Sequence, residues 1–125
     1  MAAIRSYRDL KVWQKAMELV EESYRIAKRL PKSETFGLAS QIQRAAVSIP
    51  ANIAEGHGRE HLGDYLHHLS VATGSLMELE THFLIAGRLS YVDASEVEAI
   101  LNHTAEVSRM LSGLTTSLKS SKPST

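Results

Sequence analysis

SIPANIAEG, residues 48–56, places a proline and three polar side chains inside a long apolar run that otherwise has the pattern of a helix. Pro50 has no amide hydrogen, so the carbonyl of Ala46 loses its partner within the helix and the pyrrolidine ring presses on that turn. In an exposed helix interior such a proline costs about 3 kcal/mol. The stretch therefore predicts a helix that is kinked at Pro50, or one that restarts at Asn52 with Glu55 completing a capping box.

Polar residues flank the proline at helical spacing and form one edge of an otherwise apolar rod. Side chains on such an edge can bond backbone groups that a kink frees, so we interpret the edge as structural; the alternative is that it lines a pocket. Arg59 follows Glu55 by four residues, the spacing of a surface ion pair. The members of the edge are Gln41, Arg44, Ser48, Asn52, Glu55 and Arg59.

A later stretch, GSLMELE (residues 74–80), could meet this edge from the next helix. It contains Ser75 and Glu78, and we assign Glu78 the same structural role as the residues of the polar edge. Gly74 lacks a side chain, so we expect it to allow close approach to Ala45 and Ala46.

Apolar residues recur at steps of three and four along the whole chain, and no segment alternates with period two. The pattern predicts four helices near residues 8–30, 34–57, 60–90 and 94–119, with a frayed tail at 120–125. Long helices joined by short connections favour an all-α, antiparallel up-down-up-down four-helix bundle. We expect one domain, because 125 residues suffice for a single core.

Composition limits the environment and the partners. The chain has no cysteine and no apolar run long enough to span a membrane, and its first residues lack the pattern of a secretory signal, so a cytoplasmic location is expected. Net charge is zero, although residues 1–61 hold ten Lys and Arg against seven Asp and Glu, and residues 62–125 hold four against seven. Any positive surface should therefore lie on the first half.

The first helix is apolar over a wider arc than one core needs. Beside the row that begins at Val12, a second row contains Trp13 and Tyr24. A lone bundle would leave part of this arc in water, so we expect Trp13 and Tyr24 at an interface between copies.

Residues 9–91 resemble the four-helix-bundle family named after proteins encoded in intervening sequences of bacterial 23S rRNA genes. The motifs are DLKVWQKAMEL, LPKSETFGLASQIQRAAVSIPANIAEGHGR and ATGSLMELETHFLIAGRLSY. A related group comprises the accessory proteins of diversity-generating retroelements, which form pentameric barrels that bind nucleic acid and a reverse transcriptase. The resemblance implies a bundle, a homopentamer and no established catalytic activity. Family members often carry basic residues after Gly-Arg, where this chain has Glu60, His61, Leu62, Gly63 and Asp64.

No motif predicts an enzyme or a cofactor. Gly56-x-Gly58 follows a helix and lacks a third glycine, and no nucleophile arrangement is recognisable. The histidines at 57, 61, 67 and 68 surround Asp64, but we interpret them as a polar surface near a helix start and predict no metal.

Two functions remain open. RNA or DNA could bind the exposed stripe of the first helix, because phosphate contacts accumulate when a ring repeats a modest patch. Alternatively, the oligomer is purely a protein assembly scaffold that docks another polypeptide. The cations of the stripe are Lys11, Lys15, Arg25, Lys28 and Arg29.

Overall fold

The computed structural model describes residues 4–120, and within them it contains helices and no strand. The predicted all-α bundle is confirmed. Residues 121–125, most of the predicted frayed tail, lie outside this range. The four helices are α1 (Lys11–Ala27), α2 (Leu38–His57), α3 (Leu62–Arg88) and α4 (Ala94–Ser120), and short 3-10 turns occupy Tyr7–Asp9 and Lys32–Glu34.

Each helix packs against two neighbours: α1 and α3 both contact α2 and α4. Consecutive helices are joined by short connections and are therefore antiparallel. The hydrogen-bonded partners of α2 and α3 run in opposite directions, because Ser48 bonds Ser75 whereas Asn52 bonds His68. The bundle thus has four sides, each formed by one pair of adjacent helices.

The first helix begins at Lys11, three residues later than the sequence pattern predicts. Ser6 and Asp9 form a capping box around the preceding 3-10 turn: the Ser6 hydroxyl accepts from the Arg8 amide, and the Asp9 carboxylate accepts from the Ser6 amide. Leu10 then takes an extended backbone, which separates the turn from α1. Local capping has therefore ended one short helix before the next begins.

The second helix runs without interruption through Pro50, so it does not restart at Asn52. The kink predicted at Pro50 stays a prediction. The Asn52 side-chain amide donates to the Ser48 carbonyl (2.8 Å), not to the Ala46 carbonyl that the proline frees.

One apolar core fills the space between the helices, and burial of each large aliphatic side chain in it contributes about 1.5–3 kcal/mol. In α3 and α4, most of the apolar residues at steps of three and four are buried, as are Ile49 and Ile53 on either side of Pro50. The fully buried large side chains are Leu19, Ile42, Ile49, Ile53, Leu69, Leu76, Leu79, Phe83, Ile100, Thr104, Val107 and Leu111.

Gly56, rather than Gly74, is the glycine at a close helix crossing. A Cβ added at Gly56 would lie 2.7 Å from the Cβ of His68 and 3.1 Å from a ring carbon of Tyr65, whereas a Cβ at Gly74 would meet nothing within 4 Å. The expected contact of Gly74 with Ala45 and Ala46 is therefore wrong. The tight α2–α3 crossing at Gly56 positions the polar groups described next.

Candidate functional site

A hydrogen-bonded network crosses from α2 to α3 along one side of the bundle. The hydroxyls of Ser48 and Ser75 lie 2.8 Å apart, and the Asn52 amide donates to the Ser48 hydroxyl at 3.1 Å. Nδ1 of His68 lies 3.0 Å from Oδ1 of Asn52. Because the Asn52 nitrogen already donates to Ser48, its oxygen accepts, and Nδ1 of His68 carries the proton.

The network continues outward to solvent through an acid and a base. Oε2 of Glu55 lies 3.9 Å from Nδ1 of His68, and Oε1 of Glu55 accepts from Arg59 at 2.9 Å. His68 is 16% exposed, while Glu55 and Arg59 are about half exposed. Four of the predicted edge residues, Ser48, Asn52, Glu55 and Arg59, thus act together with two α3 partners, Ser75 and His68. We call these six residues the α2/α3 network.

Arg44 and Glu78, also predicted for the polar edge, lie apart from this network. They line an open cleft of about 290 Å³ with Gln41 and Ala45. Oε2 of Glu78 lies 3.4 Å from Nε2 of His82, and within the described residues both ring nitrogens of His82 are buried without a hydrogen bond. The cleft is therefore polar, but Arg44 and Glu78 do not form an ion pair across it.

Ion pairs span the side between α1 and α4. Two of the five cations predicted to contact nucleic acid, Lys15 and Arg29, form ion pairs with carboxylates of the same chain. Lys15 also lies 3.7 Å from Glu18. Lys11, Arg25 and Lys28 are exposed and have no ion pair among the described residues. The interhelical pairs are Lys15 with Glu106 (3.6 Å), Glu22 with His103 (2.8 Å) and Arg29 with Glu96.

Apolar side chains remain in water on the side between α1 and α2. Tyr24 and Val47 line an open groove of about 370 Å³ there, and Met17 belongs to the same row of α1 as Tyr24. Met17 is 40% exposed and Val47 is 43% exposed. Trp13 is half-buried against the core and against the ring of Tyr7, whose centroid is 5.3 Å away. The predicted interface row therefore lies at the surface, although Trp13 also serves the bundle itself.

The opposite side, between α3 and α4, is lined by small and hydroxyl-bearing residues that the sequence pattern did not single out. A groove of about 370 Å³ runs there between the first half of α3 and the last half of α4. Met77 and Leu84 continue the same face of α3 and are 61% and 47% exposed. The groove residues are Leu66, Ser70, Thr73, Ser112, Thr115, Thr116 and Lys119.

The histidines at the α2–α3 junction do not converge. The His57 ring packs edge-on against Tyr65, and the His68 ring is taken up by Asn52. Burial raises the pKa of Tyr65 above its usual value of 10.0. In the described part of the chain, no group of three or more His, Cys, Asp and Glu side chains is arranged to hold a metal ion.

Within residues 4–120 no helix is long and apolar enough to cross a membrane.

His68 is the network member that sequence reasoning placed wrongly, as part of a polar surface. No sequence pattern indicated that His68 contacts Asn52, because the two residues are far apart along the chain. They meet only because α2 and α3 cross closely at Gly56.

Comparison with known proteins gives a family and a fold. The family model described as 23S rRNA-intervening sequence protein matches residues 8–113. A crystal structure of a protein with unknown function from the S23 ribosomal protein family of Bacteroides thetaiotaomicron VPI-5482 is similar, with a TM-score of 0.78 and 26% sequence identity. The alignment covers 83% of this chain and 97% of that chain. No curated protein matches.

Proposed function

We propose that this chain, which belongs to the 23S rRNA-intervening sequence protein family, is a non-enzymatic bundle that associates with copies of itself and acts as an assembly scaffold. We further propose a ring of five subunits, the number that the family resemblance implies. The scaffold role is favoured over catalysis because the polar groups of the α2/α3 network bond one another across a helix crossing. They leave no free nucleophile beside a general base.

The exposed apolar row on the α1/α2 side carries this proposal. Met17 and Val47 each expose about two fifths of their surface, and Tyr24 lines the groove beside Val47. α2 has one charged residue, Arg44, from its start at Leu38 as far as Ala54, so little on this helix repels a second protein surface. Exposed apolar side chains with few charges beside them are typical of an interface.

The mass of the protein in solution tests self-association. Native mass spectrometry and light scattering should give a multiple of 13.8 kDa, with five copies expected. Met17→Glu places a charge in the apolar row and should dissociate the oligomer into monomers that remain helical by circular dichroism. Ala99→Glu, at an exposed position of α4, is the matched control and should leave the mass unchanged. A wild-type protein that stays monomeric at high concentration overturns the proposal.

Nucleic-acid binding is the second candidate, and one observation favours it: Lys11, Arg25 and Lys28 are exposed and lack ion pairs in the described chain. Three cations per subunit form a weak patch, but a ring would present it several times. Because phosphate contacts release counterions, genuine binding must weaken steeply as salt rises.

Fluorescence anisotropy of a labelled structured RNA, from low to physiological salt, tests this candidate. Reversing the charges of Lys11, Arg25 and Lys28 should abolish binding and flatten the salt dependence, whereas Lys119→Glu on the far helix should change it little. Absence of binding at low salt eliminates the RNA role and leaves the scaffold, whose next test is a pull-down with the intact oligomer.

A further inference from the structure

The polar edge shared by α2 and α3 has internal partners along one stretch and lacks them along the next. From Ser48 to Arg59 its side chains bond one another in the α2/α3 network. One turn away, Arg44 and Glu78 line the cleft of about 290 Å³ and do not pair. We infer that this cleft binds a small zwitterion, a molecule that carries a carboxylate and an ammonium group as a free amino acid does. Such a site goes beyond the scaffold role and does not depend on it.

The cleft lies where residues of α2 and α3 reach the same height in the bundle. Ser48 and Ser75 bond each other across the two helices. Ala45 precedes Ser48 by three residues and Glu78 follows Ser75 by three. Because the helices are antiparallel, both lie about 4.5 Å from that bond in the same direction. Ala45 is 3% exposed, so the cleft presents mainly polar side chains of both helices to solvent.

Two opposite charges face this cleft without meeting. Within residues 4–120 the side chain of Arg44 forms neither an ion pair nor a hydrogen bond, and no hydrogen bond occupies the carboxylate of Glu78. By contrast, Lys15 and Glu106 pair directly across α1 and α4 at 3.6 Å. The guanidinium of Arg44 and the carboxylate of Glu78 are therefore both available to a ligand in the cleft.

This pair of charges selects the class of ligand. An anion would be attracted by Arg44 but repelled by Glu78, and a cation would meet the reverse. A zwitterion gives each charge an opposite partner, and the guanidinium fork matches a carboxylate through two parallel hydrogen bonds. Gln41 also lines the cleft and carries both a donor and an acceptor, so it can bond either group of the ligand.

A buried histidine beside the cleft lacks hydrogen-bond partners. Both ring nitrogens of His82 are buried without a hydrogen bond, and Nε2 lies 3.4 Å from Oε2 of Glu78. Buried polar atoms nearly always have a partner, so these two require an explanation. A small movement of the Glu78 carboxylate would shorten and align its contact with Nε2. An ammonium group that holds the carboxylate in that position would complete both contacts.

The size of the cleft and its surroundings favour an aliphatic amino acid. A volume of about 290 Å³ is at the lower end of the range for ligand cavities, so the ligand has few atoms. Val71 and Ile85 lie two turns from Glu78 on either side in the same row of α3, and they are 38% and 41% exposed. The two charges of the cleft hold the two charged groups, and the apolar surface beside them suits an uncharged side chain. Leucine is therefore the probe.

Isothermal titration calorimetry with L-leucine tests the inference on the full chain. N-acetyl-leucine lacks the positive charge and leucine amide lacks the negative charge, so each should bind about tenfold more weakly than leucine. Leucylglycine carries the two charges about 3.5 Å further apart, and tighter binding of this dipeptide would identify a peptide, not a free amino acid, as the source of the zwitterion. Absence of binding by both leucine and leucylglycine overturns the inference, as does equal affinity for leucine and its two derivatives.

Charge-neutralising variants assign each contact. Arg44→Gln and Glu78→Gln change exposed side chains and should each weaken leucine binding about tenfold. Arg44→Gln should also remove the preference for leucine over leucine amide, and Glu78→Gln the preference over N-acetyl-leucine. Arg109→Gln and Glu98→Gln are the matched exchanges at exposed positions of α4 and should leave binding unchanged. Equal losses in the cleft variants and the α4 variants would contradict the site.

Nuclear magnetic resonance of the histidine rings locates the bound molecule without changing the cleft. Leucine should shift the ring signals of His82, which are assigned by their loss in His82→Gln. The signals of His103, which pairs with Glu22 on the α1/α4 side, should stay in place. Binding by calorimetry without a shift at His82, or with an equal shift at His103, would place the ligand elsewhere and overturn the cleft as its site.

Discussion

Oδ1 of Asn52 accepts a hydrogen bond from Nδ1 of His68 across 3.0 Å, and this bond joins α2 to α3 one turn from their close approach at Gly56. The same asparagine donates to both the carbonyl and the hydroxyl of Ser48. Both N–H groups and the carbonyl oxygen of the side chain thus have partners inside the bundle. A residue with this many partners fixes the relative position of α2 and α3.

Asn52→Leu should destabilise the protein, because it leaves the Nδ1 proton of His68 and the Ser48 hydroxyl with fewer partners. His68 retains some solvent access, so the expected loss in free energy of unfolding is about 1–2 kcal/mol. Urea denaturation followed by circular dichroism measures it, at one protein concentration because assembly also contributes. Asn102→Leu, on the exposed face of α4, is the control. A more stable Asn52→Leu protein with unchanged assembly would contradict the structural role.

Gly56→Ala should be more damaging than its single methyl group suggests. The new Cβ would lie 2.7 Å from the Cβ of His68 and 3.3 Å from the Tyr65 carbonyl oxygen, so α2 and α3 would have to separate. Overpacking of this kind costs about 1–3 kcal/mol. Thermal or urea unfolding provides the measurement. Gly63→Ala is the matched change, since nothing lies within 4 Å of its Cβ, and it should be neutral or stabilising. Equal effects at both glycines would refute the steric account.

Pro50→Ala should stabilise the protein. The substitution restores an amide donor to the Ala46 carbonyl, a gain of up to about 3 kcal/mol in a helix interior, and gives up part of a buried ring. We expect a net gain of about 1–2 kcal/mol in urea unfolding. Ala51→Gly, at the exposed neighbouring position, should lower stability by up to about 1 kcal/mol and shows that the assay detects changes in helix propensity. A loss of stability for Pro50→Ala would mean that the rest of the bundle requires the backbone shape set by the proline.

The hydroxyl of Tyr91 donates to Oε2 of Glu34 at 3.0 Å, and the other oxygen of this carboxylate accepts from the Leu38 amide at the start of α2. The hydrogen bond to Glu34, together with burial and the carboxylate charge, holds the pKa of Tyr91 above its usual value of 10.0. The folded chain therefore keeps this proton at a pH where the unfolded chain has lost it. The contribution to stability is complete below pH 10 and disappears as the pH rises through the folded pKa.

Glu34→Gln should lower the pKa of Tyr91, because the amide keeps an acceptor for Leu38 but carries no charge. Ultraviolet titration of tyrosinate, with Tyr91→Phe subtracted to isolate this residue, measures the shift. An unchanged titration in Glu34→Gln would show that the carboxylate does not act on Tyr91.

Periodicity alone determined the class of fold. Steps of three and four in the apolar residues predicted four helices, and the buried seams of α3 and α4 follow that pattern because a helix can bury a continuous stripe only at this spacing. The SIPANIAEG stretch likewise identified Ser48, Asn52 and Glu55 as one polar edge, since residues on one face of a helix are local in sequence.

Tertiary structure alone decided what that edge does. The partners of Asn52 and Ser48 are His68 and Ser75, and no local pattern could name them, because they depend on the crossing that Gly56 permits. The pairing of Lys15 with Glu106 and of Arg29 with Glu96 depends in the same way on α4 lying beside α1. The opposition of the α1/α2 and α3/α4 sides has the same origin: helical periodicity gives each helix its faces, but only packing decides which faces meet and which remain exposed.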